Sequence, residues 1–308
     1  MRNTLRAAAY ELKTLVRKAS ARDSANSALV ARIKKEKRLI FTVTNGRSGS
    51  LTLARLLDQI DGVAGLHEPA PSFHLIMRWA QGRPNLARKF WLQDKLPAIE
   101  RDKEPIYVET SHLVCKGFIE PLLDIGLKPA LTFLSRDPRK TAISMYRLND
   151  IPGRTNRALK WYLSPEDVTC AHIPPAEIDR LSDYQLCYWH ALETQARISH
   201  YMDVAAQKML KVASVDIEDL NTWDGINALC DQLNIPINEA SQTRLLKQIG
   251  NRENERSQEK RAVEISDAEL EREEREVAAL VSEATDNIRV ASIGEVFRTY
   301  LTTAIRGL

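Results

Sequence analysis

This chain of 308 residues is short of several things, and each shortage excludes a class of protein. Its four cysteines, Cys115, Cys170, Cys187 and Cys230, are scattered, with no Cys-x-x-Cys pair and no His-rich partner segment. That pattern excludes a disulfide frame and a zinc site and points to reduced thiols in the cytoplasm. No apolar run approaches the roughly 18–20 residues of a membrane span, and the first residues carry no apolar core of secretory type. Aromatic residues make up only 6% of the chain, while a hydrophobic content of 44% is ordinary for a globular protein. The length suits one large α/β domain with attachments, or two small domains.

Charge is unevenly spread. Residues 1–38 hold eleven Lys or Arg and three acids, a net of +8, and the remainder holds 33 against 38, a net of −5. A basic arm is therefore attached to a mildly acidic body, and nucleic acid is not the expected partner, because the basic excess is confined to the arm. Leu5, Leu12, Leu15 and Val16 give the arm an apolar face. Such a helix packs on its own domain, or it lies on an anionic membrane surface, here the inner face. At the other end, Ser266 and Glu269 form a capping-box pattern that starts a Glu/Arg-rich helix, either a solvated face or a contact in a homo-oligomer.

Strand patterns fall at about 39–44, 63–67, 106–110, 130–135 and 211–215, with helical patterns between them. The alternation predicts a three-layer α/β/α fold with a central parallel sheet, a P-loop-like nucleotide-binding architecture carrying helical insertions and helical N- and C-terminal extensions. The expected division is a helical arm over 1–38, an α/β domain over 39–250 and a charged helical extension over 251–308. The insertions, Gly82 to Pro97 and Asn149 to Pro175, contain Trp91, Trp161 and Tyr162, which either line a cleft or belong to a helical lid packed on the sheet.

The most informative segment is Leu39 to Leu57, where an apolar strand meets a turn containing Asn45, Gly46 and Gly49, and a helical pattern of Leu53, Leu56, Leu57 and Ile60 follows. A strand–glycine loop–helix junction aims backbone N–H groups and the positive end of a helix dipole at one spot, an anion site. Arg47 within the loop adds a permanently charged fork for phosphate or sulfate oxygens. The nucleoside-triphosphate loop Gly-x-x-x-x-Gly-Lys-[Ser/Thr] is excluded, because Gly46 and Gly49 are three apart and no Lys follows. A second junction lies at Ala130 to Tyr146, where Arg136 ends a strand, Asp137-Pro138 opens a helix, and Ser144 comes eight residues on, about two turns up. Arg136 and Ser144 can reach one dianion from two sides.

Together these segments resemble the sulfotransferase family. Asn45 to Thr52 is similar to its 5′-phosphosulfate loop, in the Gly-Arg-Ser-Gly form of carbohydrate-type and many bacterial members, and Arg136 to Ser144 is similar to its 3′-phosphate element. Leu51 departs from the pattern, since many members have a small hydroxyl residue there, and its amide can still serve. The resemblance extends more loosely over 39–250. It implies 3′-phosphoadenosine 5′-phosphosulfate (PAPS) as donor and 3′-phosphoadenosine 5′-phosphate (PAP) as product, with no metal required. It implies donor binding by Gly46, Arg47, Ser48, Gly49, Ser50, Leu51, Arg136 and Ser144, with Arg252 added by position, from a basic loop that returns to the nucleotide in family members. The acceptor implied is an alcohol, less readily an amine, on a saccharide, glycolipid or polysaccharide. A general base is needed for it. Glu68, in His67-Glu68-Pro69, matches the Glu-Pro of carbohydrate-type members, and His112, in Thr110-Ser111-His112-Leu113, matches the His of cytosolic members less closely. Glu68 is preferred because the Arg form of the loop goes with Glu-Pro, and His112 remains the alternative. The expected catalytic set is thus Arg47, Glu68 and His112. Competing readings are a nucleotide-binding or scaffold protein of this fold without turnover, and a P-loop kinase, which the missing Lys disfavours.

Overall fold

In a computed structural model, residues 20–250 and 265–287 are described, apart from 168, 171, 172 and 174. Five strands form one sheet: β1 (Arg38–Thr44), β2 (Val63–Leu66), β3 (Ile106–Glu109), β4 (Ala130–Ser135) and β5 (Val212–Asp216). Their order is β2-β3-β1-β4-β5 and every pairing is parallel. This is the α/β sheet that the alternating strand and helix patterns predict, with strand bounds within a residue or so of those read from the sequence. Seven helices of eight residues or more are described: α1 (Ser20–Glu36), α2 (Ser50–Leu57), α3 (Pro138–Arg147), α4 (Asp183–Lys208), α5 (Trp223–Leu233), α6 (Glu239–Gln248) and α7 (Asp267–Asn287).

Period-two alternation sends successive side chains of a strand to opposite faces, and both faces here are covered. On one face Leu39, Phe41 and Val43 of β1 and Leu131 and Phe133 of β4 join the larger core, with Ala142 and Met145 of α3 and much of α4. On the other, Ile40, Ala130 and Leu134 pack with Leu53, Leu56 and Leu57 of α2 and with Ile226, Leu229 and Leu233 of α5. The helix after β1 and the helix after β4 therefore lie on opposite faces of neighbouring strands. That arrangement opens a crevice at the carboxyl ends of β1 and β4, the place where doubly wound sheets bind ligands.

The first and last described helices reach the larger core. Leu29, Val30 and Ile33 of α1 are buried in it, as are Leu270, Val277 and Val281 of α7. The α7 helix is further tied by Glu274, which takes both Nε and Nη2 of Arg139 on α3 and the Tyr184 hydroxyl on α4. Of the two expectations for Trp91, packing on the sheet holds and cleft lining does not. It is fully buried, packs edge-on against Phe41 and Phe73 at 5.3 and 5.2 Å, and donates its indole N–H to Phe118 O at 2.8 Å. A large apolar ring whose one polar atom is satisfied gains more inside than at a wet cleft wall. Among the described residues no helix is long and apolar enough to cross a membrane.

Candidate active site

Four strand ends build the site. From β1 the chain enters the loop 45–49, in which Arg47 has φ 70° and Gly49 has φ 87°. The loop is closed internally: Ser48 Oγ donates to Asn45 O at 2.6 Å and contacts Thr44 Oγ1 at 2.6 Å, while Thr44 Oγ1 donates across to Leu134 O on β4 at 2.7 Å. Ser48 is therefore buried as a clasp, and its side chain is spent on the loop rather than turned to a ligand. Gly49 occupies the N-cap of α2 in the left-handed conformation, where the first-turn N–H groups have no carbonyl within the helix to bond. Glycine is needed at 46 for a different reason: a Cβ there would stand 2.6 Å from the Tyr162 ring.

From β4, Arg136 turns back to donate to the carbonyl of Arg47, and Asp137 caps α3 by accepting from Lys140 N at 2.7 Å. Ser144, two turns along α3, accepts from Arg47 Nε at 3.3 Å. The two segments far apart in sequence thus meet through Arg47. The Arg136 Nε is buried with no hydrogen-bond partner, and burial and the nearby Arg47 charge both lower the hold of Arg136 on its proton. Two guanidinium groups side by side, one with an orphaned donor, are what an added anion would satisfy.

From β2 and β3 come the candidate bases. Glu68, with φ 48°, faces a cleft of about 340 Å³ lined also by Gly46, Arg47, Gly49, Ser50, Leu51 and His112. Arg157, Trp161 and Tyr162 line it too. His112 Nε2 lies 3.1 Å from Glu68 Oε1, and His67 is held by Thr110 O at 2.9 Å. Burial is the largest single influence on the Glu68 carboxyl and pushes it up, but the charges and hydrogen bond of His112 with those of His67 and Lys116 together outweigh it, and the carboxyl settles at about 2. Burial and the Lys116 ammonium press His112 down to about 4, against Glu68. At neutral pH the pair is a carboxylate accepting from a neutral imidazole. His112 caps no helix: residues 112–118 form turns, and the next helical segment is Ile119–Asp124.

The Glu68 loop is fixed from behind. A single π-helical turn, Trp91–Lys95, carries Lys95 inward, where it pairs with Glu109 at 2.8 Å and donates to Pro69 O and Pro71 O at 3.2 and 3.1 Å. Such π-turns recur at functional sites. Lys95, Lys116 and Arg157 are absent from the sequence-based candidates. A buried lysine has no sequence signature, although the four-residue step from His112 to Lys116, one helical turn, was a usable signal. His190 is buried with Tyr162 edge-on at 5.2 Å, and both its ring nitrogens lack partners. The Glu193–Arg197 pair is buried too, and Arg197 also donates to Cys115 O and Thr169 O, so it ties α4 to two loops as well as supporting its own helix. Arg252 lies outside the described residues. Among the described residues no group of three or more His, Cys, Asp or Glu side chains is placed to hold a metal ion.

No family model matches the chain, and no curated protein does. Among solved structures it is similar to the mouse sulfotransferase SULT7A1 complexed with PAP, at 13% identity over 89% of this chain and 93% of that one, with a TM-score of 0.43. A likeness of that size transfers no residue to this chain.

Proposed function

We propose that the protein is a sulfotransferase that moves the sulfuryl group of PAPS to a hydroxyl group. The observation that carries the reading is the meeting of Arg47, Ser144 and Arg136 at the β1–β4 crevice, with the Arg136 Nε buried and unpartnered beside a second guanidinium. The donor has an anionic group at each end, and this chain offers a loop-and-helix cradle at 46–51 beside an Arg/Ser pair. In transfer, the acceptor oxygen forms its bond to sulfur as the sulfur–oxygen bond to the 5′-phosphate breaks. The bonding pair leaves on that phosphate, and the acceptor's proton passes to Glu68. Arg47 and the first-turn amides of α2 stabilise the charge that develops on the leaving and equatorial oxygens.

Glu68 is the base in this reading. It is ionised across the neutral range and faces the cleft, whereas His112 has its Nε2 turned toward Glu68 and its Nδ1 occupied. A carboxylate held this low is a weak base, so its contribution is the hydrogen bond that orients the hydroxyl and a place for the proton as transfer proceeds. The half-buried Trp161 ring, tilted 31° against His74 at 4.2 Å, and Arg157, which lines the same cleft, favour a saccharide acceptor, for which an aromatic wall and a polar group suffice.

Calorimetric titration with PAP, beside ATP with magnesium, tests the reading. PAP is expected to bind and ATP with magnesium is not, and Arg47→Ala and Arg136→Ala each weaken PAP about 10- to 100-fold, the equivalent of one charge-assisted contact. Absent PAP binding, or a preference for ATP with magnesium, refutes it.

A further inference from the structure

Behind Glu68 and His112 lies a third side chain, Lys116, fully buried. Its Nζ stands 3.0 Å from His112 Nδ1 and donates to Trp161 O at 3.0 Å. Resting on the sulfotransferase reading, we propose that Lys116 is a positioning residue that assigns the proton roles in the cleft. By occupying His112 Nδ1 it holds the imidazole as its Nε2–H tautomer, so that His112 serves only to orient the Glu68 carboxylate and Glu68 alone takes the acceptor's proton.

The argument follows from which atoms donate. An ammonium group has three N–H donors and no lone pair. The nitrogen it meets must accept, so Nδ1 carries no proton and the single ring proton is on Nε2. That atom points at Glu68 Oε1, 3.1 Å away. The three groups therefore form one directed chain, Lys116 to His112 to Glu68, that ends on the carboxylate facing the cleft. With its lone pair engaged by Lys116 and its proton engaged by Glu68, His112 has nothing left for an acceptor hydroxyl. Lys116 makes no ion pair among the described residues, and burial lowers it to about 8, so it is charged at neutral pH. A residue kept only for packing would not need that charge, because a methionine fills the same volume without the desolvation cost. The negative charge that balances it is that of Glu68, one imidazole away.

Other charged or titratable groups surround the chain. Glu68 and His67 face His112 from the strand-end loop, and the Tyr162 ring lies 5.2 Å from it. Arg197, Cys115 and Cys170 act on Lys116 from α4 and the neighbouring loops. Of these, Lys116 alone meets a nitrogen of His112 as a hydrogen-bond donor.

Nitrogen and proton NMR of His112 in the full-length protein tests this without any donor nucleotide. The wild type is expected to show one neutral tautomer, Nε2–H, down to about pH 4. In Lys116→Met the titration moves up toward the ordinary imidazole value, because the charge at Nδ1 is gone while Glu68 still accepts from Nε2. If the protein is a sulfotransferase, kcat in that variant falls about 10- to 100-fold, with PAP affinity unchanged, and Lys116→Arg recovers part of the loss. An Nδ1–H tautomer in the wild type overturns the proposal, and so does a folded Lys116→Met protein whose His112 signals do not move. Where the methionine variant does not fold, Lys116→Gln, which keeps a similar length without the charge, is read in its place, and a His112 titration that does not move there overturns the proposal. Absent PAP binding would instead overturn the sulfotransferase reading and leave the tautomer result standing.

Discussion

Replacing Lys95 by methionine isolates what holds the Glu68 loop in place. Lys95 and Glu109 are 1% and 0% exposed and 2.8 Å apart, and Tyr107 donates a further hydrogen bond to Glu109 at 2.8 Å. Removing one partner of a buried pair costs about 3–5 kcal/mol, because the other charge is left without compensation. The carbonyls of Pro69 and Pro71 lose their donor at the same time. Burial already pushes the Glu109 carboxyl up, and Lys95 is the chief opposing influence. In Lys95→Met nothing of that strength opposes burial, so Glu109 is protonated in the folded protein and ionised in the unfolded chain near neutral pH. The folded state then holds more protons than the unfolded one, and stability falls as pH rises above the ordinary carboxyl value of the unfolded chain. The full loss, about 3–5 kcal/mol, is expected at pH 7, and a smaller one near pH 4.5. Denaturant unfolding at a series of pH values, with wild type in parallel, measures both. The double variant Lys95→Met with Glu109→Gln has no charge to strand and is expected to recover most of the loss. A loss that is the same at both pH values, or a double variant no better than the single one, would refute the reasoning.

Two further outcomes are expected. Glu68→Gln keeps the shape of the cleft wall and removes the proton acceptor, so kcat for sulfuryl transfer should fall about 10²- to 10⁴-fold with PAP affinity retained; steady-state kinetics beside calorimetry checks it, and unchanged turnover would remove Glu68 from the mechanism. Gly46→Ala places a methyl group 2.6 Å from the Tyr162 ring, an overpacking strain of about 1–3 kcal/mol that should weaken PAP binding; adding Tyr162→Leu, which withdraws the ring, should restore it, and an unaffected single variant would show that the loop does not need its closeness to Tyr162.

Much of the fold was legible because its causes are local. The five apolar runs, the Asp137-Pro138 helix start and the Gly49 turn each act within a few residues, and β1 to β5 fall where those signals place them. The loop at 46–49 and the Arg136/Ser144 step were legible for the same reason. Whether the two meet was not, because that depends on β1 and β4 being neighbours with their helices on opposite faces. The preference for Glu68 over His112 rested on the Glu-Pro resemblance. The geometric ground proposed for it, Lys116 reaching the far nitrogen of the imidazole, is a matter of side-chain direction that the sequence does not carry. At Ser48 the expected ligand contact is that of its amide, and the structure adds what the sequence does not carry, a hydroxyl turned inward to Asn45 and Thr44.

Arg47 and Glu68 both sit in left-handed backbone, at φ 70° and 48°. Each such residue with a full side chain costs about 1–3 kcal/mol, where the net stability of a whole domain is only about 5–15 kcal/mol. Glycine at 47 would relax the chain, so selection for stability alone draws that position toward glycine. Position 68 is held differently, because glycine there would leave the buried Lys116 without the carboxylate that balances it. A lineage that lost the proposed activity should therefore lose its arginine at 47 first and keep its glutamate at 68.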